Sequence, residues 1–172
     1  TWGSDTGGYY SFKNREVFAR WLQFSALTPI MEIGGIGSRA PWDMPTEARY
    51  DTELIDIYAR YVNLHHALIP YTAAQADLAS TEGLPIARAM IFDFPNDARF
   101  ADSWDQYMYG PDLLVAPIWQ IGSRERKVLI PEGVWKLYWD QSQSWTGPAT
   151  ITIPATLDTL PLFIREGATV IH

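Results

Sequence analysis

Trp2-Gly3-Ser4-Asp5-Thr6-Gly7-Gly8-Tyr9 is the stretch on which the fold turns. An acidic residue closes a short extended run, and two glycines follow at once. Glycine lets the backbone turn sharply or approach a ligand closely. In a βα barrel the chemistry sits on the loops after the strands. A strand-ending Asp before Gly-Gly occupies that place. The same pattern also suits an Asp that merely caps the turn, and the stretch alone leaves both readings open.

Working outward, Asn14 is an N-cap candidate. Val17, Phe18, Trp21, Leu22 and Ser25 follow at helical spacing, which predicts a helix over 15–27 that Pro29 stops. Pro29-Ile30-Met31-Glu32-Ile33 reads as a buried strand. Residues 34–50 form a long loop with Gly34, Gly35, Gly37, Pro41 and Pro45. Asp51 caps a second helix with an apolar stripe of Leu54, Ile57, Tyr58, Tyr61, Leu64, His65 and Leu68. The pattern runs on to about residue 79, with a kink or a fresh start at Pro70, whose nitrogen carries no proton.

The character changes at Glu82-Gly83. Short apolar or alternating runs follow at 86–92, 113–118, 127–130, 134–139, 150–153, 160–164 and 168–171. Turn residues separate them, the pattern of an antiparallel sandwich or barrel. The chain therefore divides into 1–83 and 84–172. Two βα units cannot cover a parallel sheet by themselves. The first part must pack wholly on the β part or belong to a larger protein, and the second is the expectation.

The chain has 172 residues, 47% of them apolar and 19% charged, which places it in the globular range. Net charge is −7, and the 13 basic residues form no stripe. A phosphate backbone and an anionic bilayer both reward clustered Lys and Arg, so neither nucleic acid nor membrane is an expected partner. No apolar run is long enough for a membrane span. There is no cysteine, which removes disulfides, thiolate metal sites and cysteine nucleophiles. His65 and His66 are adjacent and diverge on a helix, so they make no metal pair. No metal and no cofactor is expected. Gly34-Gly35-Ile36-Gly37 lacks the lysine and spacing of a phosphate loop.

Ser4-Asp5-Thr6-Gly7-Gly8-Tyr9 resembles the "(H/S)-D-I-G-G-F" stretch of glycoside hydrolase family 31. The resemblance continues along the chain. Glu16-Val17-Phe18-Ala19-Arg20-Trp21-Leu22-Gln23-Phe24 is similar to the "E-L-x-x-R-W-x-Q-x-G" helix, and Arg39-Ala40-Pro41-Trp42 to the "R-x-P-W" loop. Leu68-Ile69-Pro70-Tyr71 resembles "L-x-P-Y". Pro85-Ile86-Ala87-Arg88 opens the next matching segment, and Gln106-Tyr107-Met108-Tyr109-Gly110-Pro111-Asp112 begins the family's most recognisable one. Pro161-Leu162-Phe163-Ile164-Arg165-Glu166-Gly167 completes the series.

The resemblance implies an α/β plus all-β chain. Residues 1–83 would be the last part of a (β/α)8 barrel, with strands 7 and 8 and their helices. Residues 84–172 would be the small antiparallel β-sandwich that follows. It implies a retaining α-glycosidase acting on an oligosaccharide or glycoside substrate. Such enzymes need two carboxyl groups about 5–5.5 Å apart. The family's nucleophile and acid/base segments, "W-x-D-M-N-E" and "W-(S/G)-G-D", have no counterpart here. The expectation is therefore a fragment without a catalytic residue, packed against the missing remainder of its own chain.

Asp5, Tyr9, Glu32 and Trp42 would line the sugar pocket. Tyr9 stands where the family usually has a Phe wall. Glu32-Ile33-Gly34 stands where many members have Arg-x-His. Glu32 would offer acceptors to sugar hydroxyls, or else pair with Arg39. Trp42 would be a stacking platform or a loop anchor. Trp21, Trp135, Trp139 and Trp145 are expected in core or interface. Two other readings stand beside this one, a carbohydrate-binding β-sandwich protein and a transglycosylase on the same scaffold.

Overall fold

The computed structural model describes residues 2–10, 14–33 and 51–170. Trp42, Gly34 and Arg39 lie outside these residues, so the expectations for them are not addressed by it.

Helix α1 spans Arg15–Ser25, two residues shorter than the sequence suggests. Asn14 is extended, and its Oδ1 accepts from the amides of Glu16 and Val17 at 2.9 and 3.1 Å. That satisfies two of the amides a helix start leaves open. At the other end the Thr28 hydroxyl donates to the Ser25 carbonyl at 2.8 Å. Helix α2 spans Thr52–Ala67, capped by Asp51. Leu68 breaks the ladder and α3, Ile69–Glu82, begins with Pro70 in its first turn. Proline is harmless there because that amide has no helical partner. Gly83, at φ +73°, ends α3.

Six strands follow. They are β1 (Ala87–Ala89), β2 (Tyr107–Tyr109), β3 (Leu113–Val115), β4 (Glu125–Leu137), β5 (Asp140–Pro154) and β6 (Leu162–Arg165). They form one antiparallel sheet in the order β1-β2-β3-β6-β4-β5. A register shift between Ile130 and Gly133 divides β4. The part beyond the shift pairs with β6. The part before it lays Val128 and Ile130, with Ile153 of β5, onto Met108, Leu114 and Phe163. Side chains alternate along a strand, so the opposite face carries Tyr109, Leu113, Val115, Leu162 and Ile164. These meet Phe18, Leu22, Tyr61, Leu64 and Leu68 of the helices. Helices, central strands and the folded-back hairpin make three layers.

Several local expectations change. Residues 29–33 are not a buried strand: Ile30 is exposed, and the segment pairs with residues 2–6 through a single parallel bridge from Glu32 to Asp5 and one further backbone hydrogen bond from Ile30 to Trp2. A parallel strand is buried when neighbours cover it on both faces, and the described residues leave Ile30 45% exposed. Residues 86–92 give only the short β1 before a helical turn, α4 (Met90–Asp93), with Ile91 and Phe92 outside. Residues 127–130 and 134–137 belong to one long strand, because Pro131-Glu132 forms a bulge and not a turn, and Tyr138-Trp139 make the turn into β5. Residues 168–170 form no strand. Strand β2 was not expected at all.

Trp135 is fully buried, Trp145 packs edge-on to Phe163 at 5.5 Å, and Trp139 lies against Tyr61 and under Arg60. His65 is half-buried, with Nδ1 3.1 Å from the Ala26 carbonyl, and His66 is exposed. Trp21 departs from expectation. It is only half-buried and lines an open groove on α1.

Candidate functional site

Two extended segments lie side by side at the start of the chain. The Ile30 amide donates to the Trp2 carbonyl and the Thr6 amide to the Glu32 carbonyl, both at 3.3 Å. Asp5 and Glu32 are the bridge partners of this parallel pair. Directly opposed residues share a face, with β-carbons about 4.5–5.5 Å apart. Both carboxylates therefore leave the same face at the carboxyl ends of consecutive strands. Asp5 is half-buried and Glu32 exposed.

The turn after Asp5 is built for reversal. The Gly8 amide donates to the Asp5 carbonyl at 2.8 Å, and Gly7, at φ +88°, takes the third position. A type II turn requires a positive φ there, which favours glycine. Tyr9 emerges beyond the turn, 49% exposed, with its ring edge-on to Tyr10 at 5.0 Å.

Helix α1 fixes both strand ends. The Thr6 hydroxyl donates to the Ser25 hydroxyl at 2.8 Å, and both residues are fully buried. Thr28 Oγ1 lies 2.8 Å from the Ser25 carbonyl and 2.7 Å from that of Ile30. Trp21 Nε1 donates to Ser4 Oγ at 2.8 Å. The last turn of one helix thus holds the residue after Asp5 and the residue two before Glu32.

The structure brings Asp5 and Glu32 together and sets Tyr9 past the turn. The expected Trp42 platform lies outside the described residues. No group of three or more His, Cys, Asp or Glu that could hold a metal occurs among the described residues. No described helix is long and apolar enough to cross a membrane.

Residues that pattern reading passed over tie the two halves together. Arg20 is 7% exposed. Its Nη1 donates to the carbonyls of Thr156 and Thr159, and its Nη2 to those of Ala155 and Ser123, at 2.9–3.3 Å. Gln23 Nε2 donates to the Leu157 carbonyl at 2.6 Å. Desolvation by burial, and then the nearby Arg124 cation, lower the Arg20 pKa. Guanidinium nonetheless stays charged in proteins. Tyr61 is a second tie, donating to the Asp158 carbonyl at 2.9 Å and accepting from the Leu160 amide at 2.7 Å. The only sign of the Arg20 tie in the sequence was a polar pair at i, i+3 inside a recognisable helix motif.

An apolar cavity lies apart from Asp5 and Glu32. It holds about 360 Å³ between α1 and the β half, and neither Asp5, Tyr9 nor Glu32 lines it.

Parallel strand ends with chemistry on their trailing loops, continuous with an antiparallel β unit, are the mark of a barrel enzyme carrying an appended domain. The comparisons give the family. Residues 1–75 match the TIM-barrel domain of glycosyl hydrolases family 31, and residues 83–170 match that family's C-terminal domain. The chain belongs to glycoside hydrolase family 31, whose enzymes are hydrolases and transglycosylases of α-glucosides. It is 33% identical to an alpha-xylosidase of Saccharolobus solfataricus, over 97% of this chain and 23% of that protein. It is 31% identical to an isomaltosyltransferase of Sporosarcina globispora, over 97% of this chain and 16% of that one. A Flavobacterium johnsoniae dextranase of the family, complexed with glucose, superimposes with a TM-score of 0.89 at 32% identity, over 98% of this chain and 21% of that one. The chain thus spans less than a quarter of the length of these relatives.

Proposed function

We propose that this chain is a fragment of a retaining α-glycoside hydrolase acting on α-linked oligosaccharides or glycosides. In this reading residues 1–83 complete the barrel and residues 84–172 form the sandwich behind it. Asp5, Tyr9, Glu32 and Trp42 line the sugar pocket. The nucleophile and the acid/base belong to polypeptide outside this chain, against which the chain packs. The observation that carries the reading is the pairing of Asp5 with Glu32 at the ends of consecutive parallel strands. Side-by-side carboxylates accept hydrogen bonds from neighbouring sugar hydroxyls, and charged acceptors hold such donors strongly.

The test is turnover of aryl α-glycosides by this chain and by the full-length gene product. We expect turnover only from the second, because the nucleophile and acid/base segments of the family have no counterpart in these 172 residues. Turnover by the 172-residue chain that vanishes on Asp5→Asn would refute the supporting role of Asp5. Likeness to an isomaltosyltransferase favours one further reading, transfer of the glycosyl group to a sugar instead of water. Product analysis with isomaltotriose separates transfer from hydrolysis.

A further inference from the structure

Thr6 and Ser25 are both fully buried, and their hydroxyls meet at 2.8 Å. Among the described residues Ser25 Oγ makes no other hydrogen bond, and the only other acceptor near Thr6 Oγ1 is the Ser4 carbonyl at 3.5 Å. A buried hydroxyl without a partner is costly, so each side chain depends on the other. Both positions depart from the motifs that carry the family resemblance. In "(H/S)-D-I-G-G-F" the place of Thr6 is Ile, and in "E-L-x-x-R-W-x-Q-x-G" the place of Ser25 is Gly. Threonine against glycine would bury a lone hydroxyl. Serine against isoleucine would bury another and crowd it. Made together, the two changes nearly conserve volume and give each hydroxyl a partner.

The pair stands directly behind the carboxylates. Successive side chains of an extended segment point to opposite faces, so Thr6 faces α1 where Asp5 faces away from it. The Thr6 amide donates to the Glu32 carbonyl at 3.3 Å, and Asp5 is the bridge partner of Glu32. Ser25 in turn holds the second segment. Its carbonyl accepts from the Thr28 amide at 3.1 Å, and Thr28 Oγ1 lies 2.7 Å from the Ile30 carbonyl. One serine therefore serves both strand ends. Tyr9 and Glu32, the other departures from the family pattern, belong to the same two segments.

We propose that Thr6 and Ser25 are a positioning pair. Their hydrogen bond fixes where the Asp5 and Glu32 carboxylates stand relative to each other, and so which sugar hydroxyls the two accept together. The inference rests on the sugar-pocket reading proposed above. Both hydroxyls are buried and out of reach of a sugar, so they act only through the carboxylates. Two acceptors that share one sugar are sensitive to their spacing. A hydrogen bond stretched or bent at either one weakens steeply and leaves a polar group unpaired. The pair therefore acts on the choice among glycosides.

The full-length polypeptide carrying Thr6→Val, Ser25→Ala or both tests this. Each single variant strands one buried hydroxyl and should lower the thermal midpoint by about 2 °C or more. The double variant removes both hydroxyls and should regain most of that loss, because an apolar pair of similar shape is nearly neutral. The ratio of kcat/KM between aryl α-glucosides and aryl α-xylosides should not recover with it. That ratio should stay shifted by about threefold or more in the double variant, since small misplacements are costly in a binding site. Thr6→Ser keeps the hydroxyl and should leave the ratio at the wild-type value. A role in packing alone predicts a ratio that recovers together with stability. If the double variant does not fold, Ser25→Ala carries the same comparison, because Thr6 can still turn to the Ser4 carbonyl.

Hydrogen exchange needs no turnover and reads the same pair. The Thr6 amide closes the bridge to Glu32. In short peptides within residues 2–10 it should exchange about tenfold faster in the double variant than in the wild type. Unchanged exchange at this amide overturns the proposal, and so does a wild-type glycoside ratio in an active double variant. A full-length wild type that hydrolyses none of the glycosides, yet shows the faster exchange on substitution, keeps the positioning pair and loses the glycosidase reading.

Discussion

Replacing Arg20 by Met should loosen the join between helix and sandwich while leaving α1 itself intact. Methionine is a good helix former of similar length. The guanidinium donates to four carbonyls and to Gln23, and no carboxylate lies within ion-pair distance of it among the described residues. The Ser123 carbonyl keeps a donor from Arg124, and that of Thr156 keeps the Thr159 amide. The carbonyls of Ala155 and Thr159 lose the donors seen here. An orphaned buried acceptor costs about 1–3 kcal/mol. Two give about 2–6 kcal/mol, reduced because a desolvated cation is no longer buried. A net loss of about 2–4 kcal/mol is expected from urea unfolding followed by circular dichroism. Arg20→Lys should recover only part of it, since an ammonium has three donors and no planar fork. The 155–159 loop should also become the first site of protease cleavage. A loss below about 0.5 kcal/mol, the level of an ordinary surface substitution, would refute the argument that Arg20 joins the halves.

Gly110→Ala should cost more than about 3 kcal/mol, because a left-handed residue gains a β-carbon. At φ +58° that atom would sit 2.2 Å from the Tyr71 hydroxyl, which bonds the Tyr109 carbonyl and Asp112; an unchanged urea midpoint would show that α3 yields freely. Arg99 hydrogen bonds hold the Asp97 carboxyl below the usual range, and Arg99 also donates to the carbonyls of Ala149 and Ile130 in the hairpin. A depressed folded pKa adds stability above the unfolded value near 4, lost as pH falls through the folded one. The stability gap between wild type and Asp97→Asn should therefore close as pH falls below about 4 and through the depressed folded value, and a gap that ignores pH removes the pair from the account. Glu32→Gln in the full-length enzyme should lower kcat/KM by about 1–3 kcal/mol equivalent, unequally among α-glucosides, α-xylosides and α-galactosides. A uniform change, or none, would make Glu32 structural.

Elements whose start and stop chemistry is local were legible. Asn14, Asp51, Pro70 and Gly83 each act through their own side chain or backbone, so α1, α2 and α3 fall where the residues put them. The strands were harder because a strand's bounds are set by its partner. Tyr107-Met108-Tyr109 shows no polar alternation, since Met108 faces the folded-back hairpin and Tyr109 the helices. Met90-Ile91-Phe92 has strand composition, yet Arg88 holds Asp93 at 3.0 Å across the turn that those residues make. Pro131-Glu132-Gly133 carries every local sign of a turn. Continuous pairing on either side makes it a bulge, as a partner strand can tolerate one missing amide there.

The carboxylate pair was half legible, and the missing half is register. Two short strands joined by one helix make a βαβ unit when they pair in parallel, and in that unit Asp5 and Glu32 stand at the same end. That they stand opposite each other is a separate fact. A slip of one residue would set Asp5 beside Met31 or Ile33 and turn Glu32 to the other face. What prevents the slip is the buried chain Thr6, Ser25, Thr28, in which one hydroxyl on α1 serves the first strand and the neighbouring carbonyl the approach to the second. Three small polar residues scattered over 23 positions carry no pattern that periodicity detects. They become a device only when helix and strands are already in place. The geometry of the carboxylate pair is therefore written in the hydroxyls behind it.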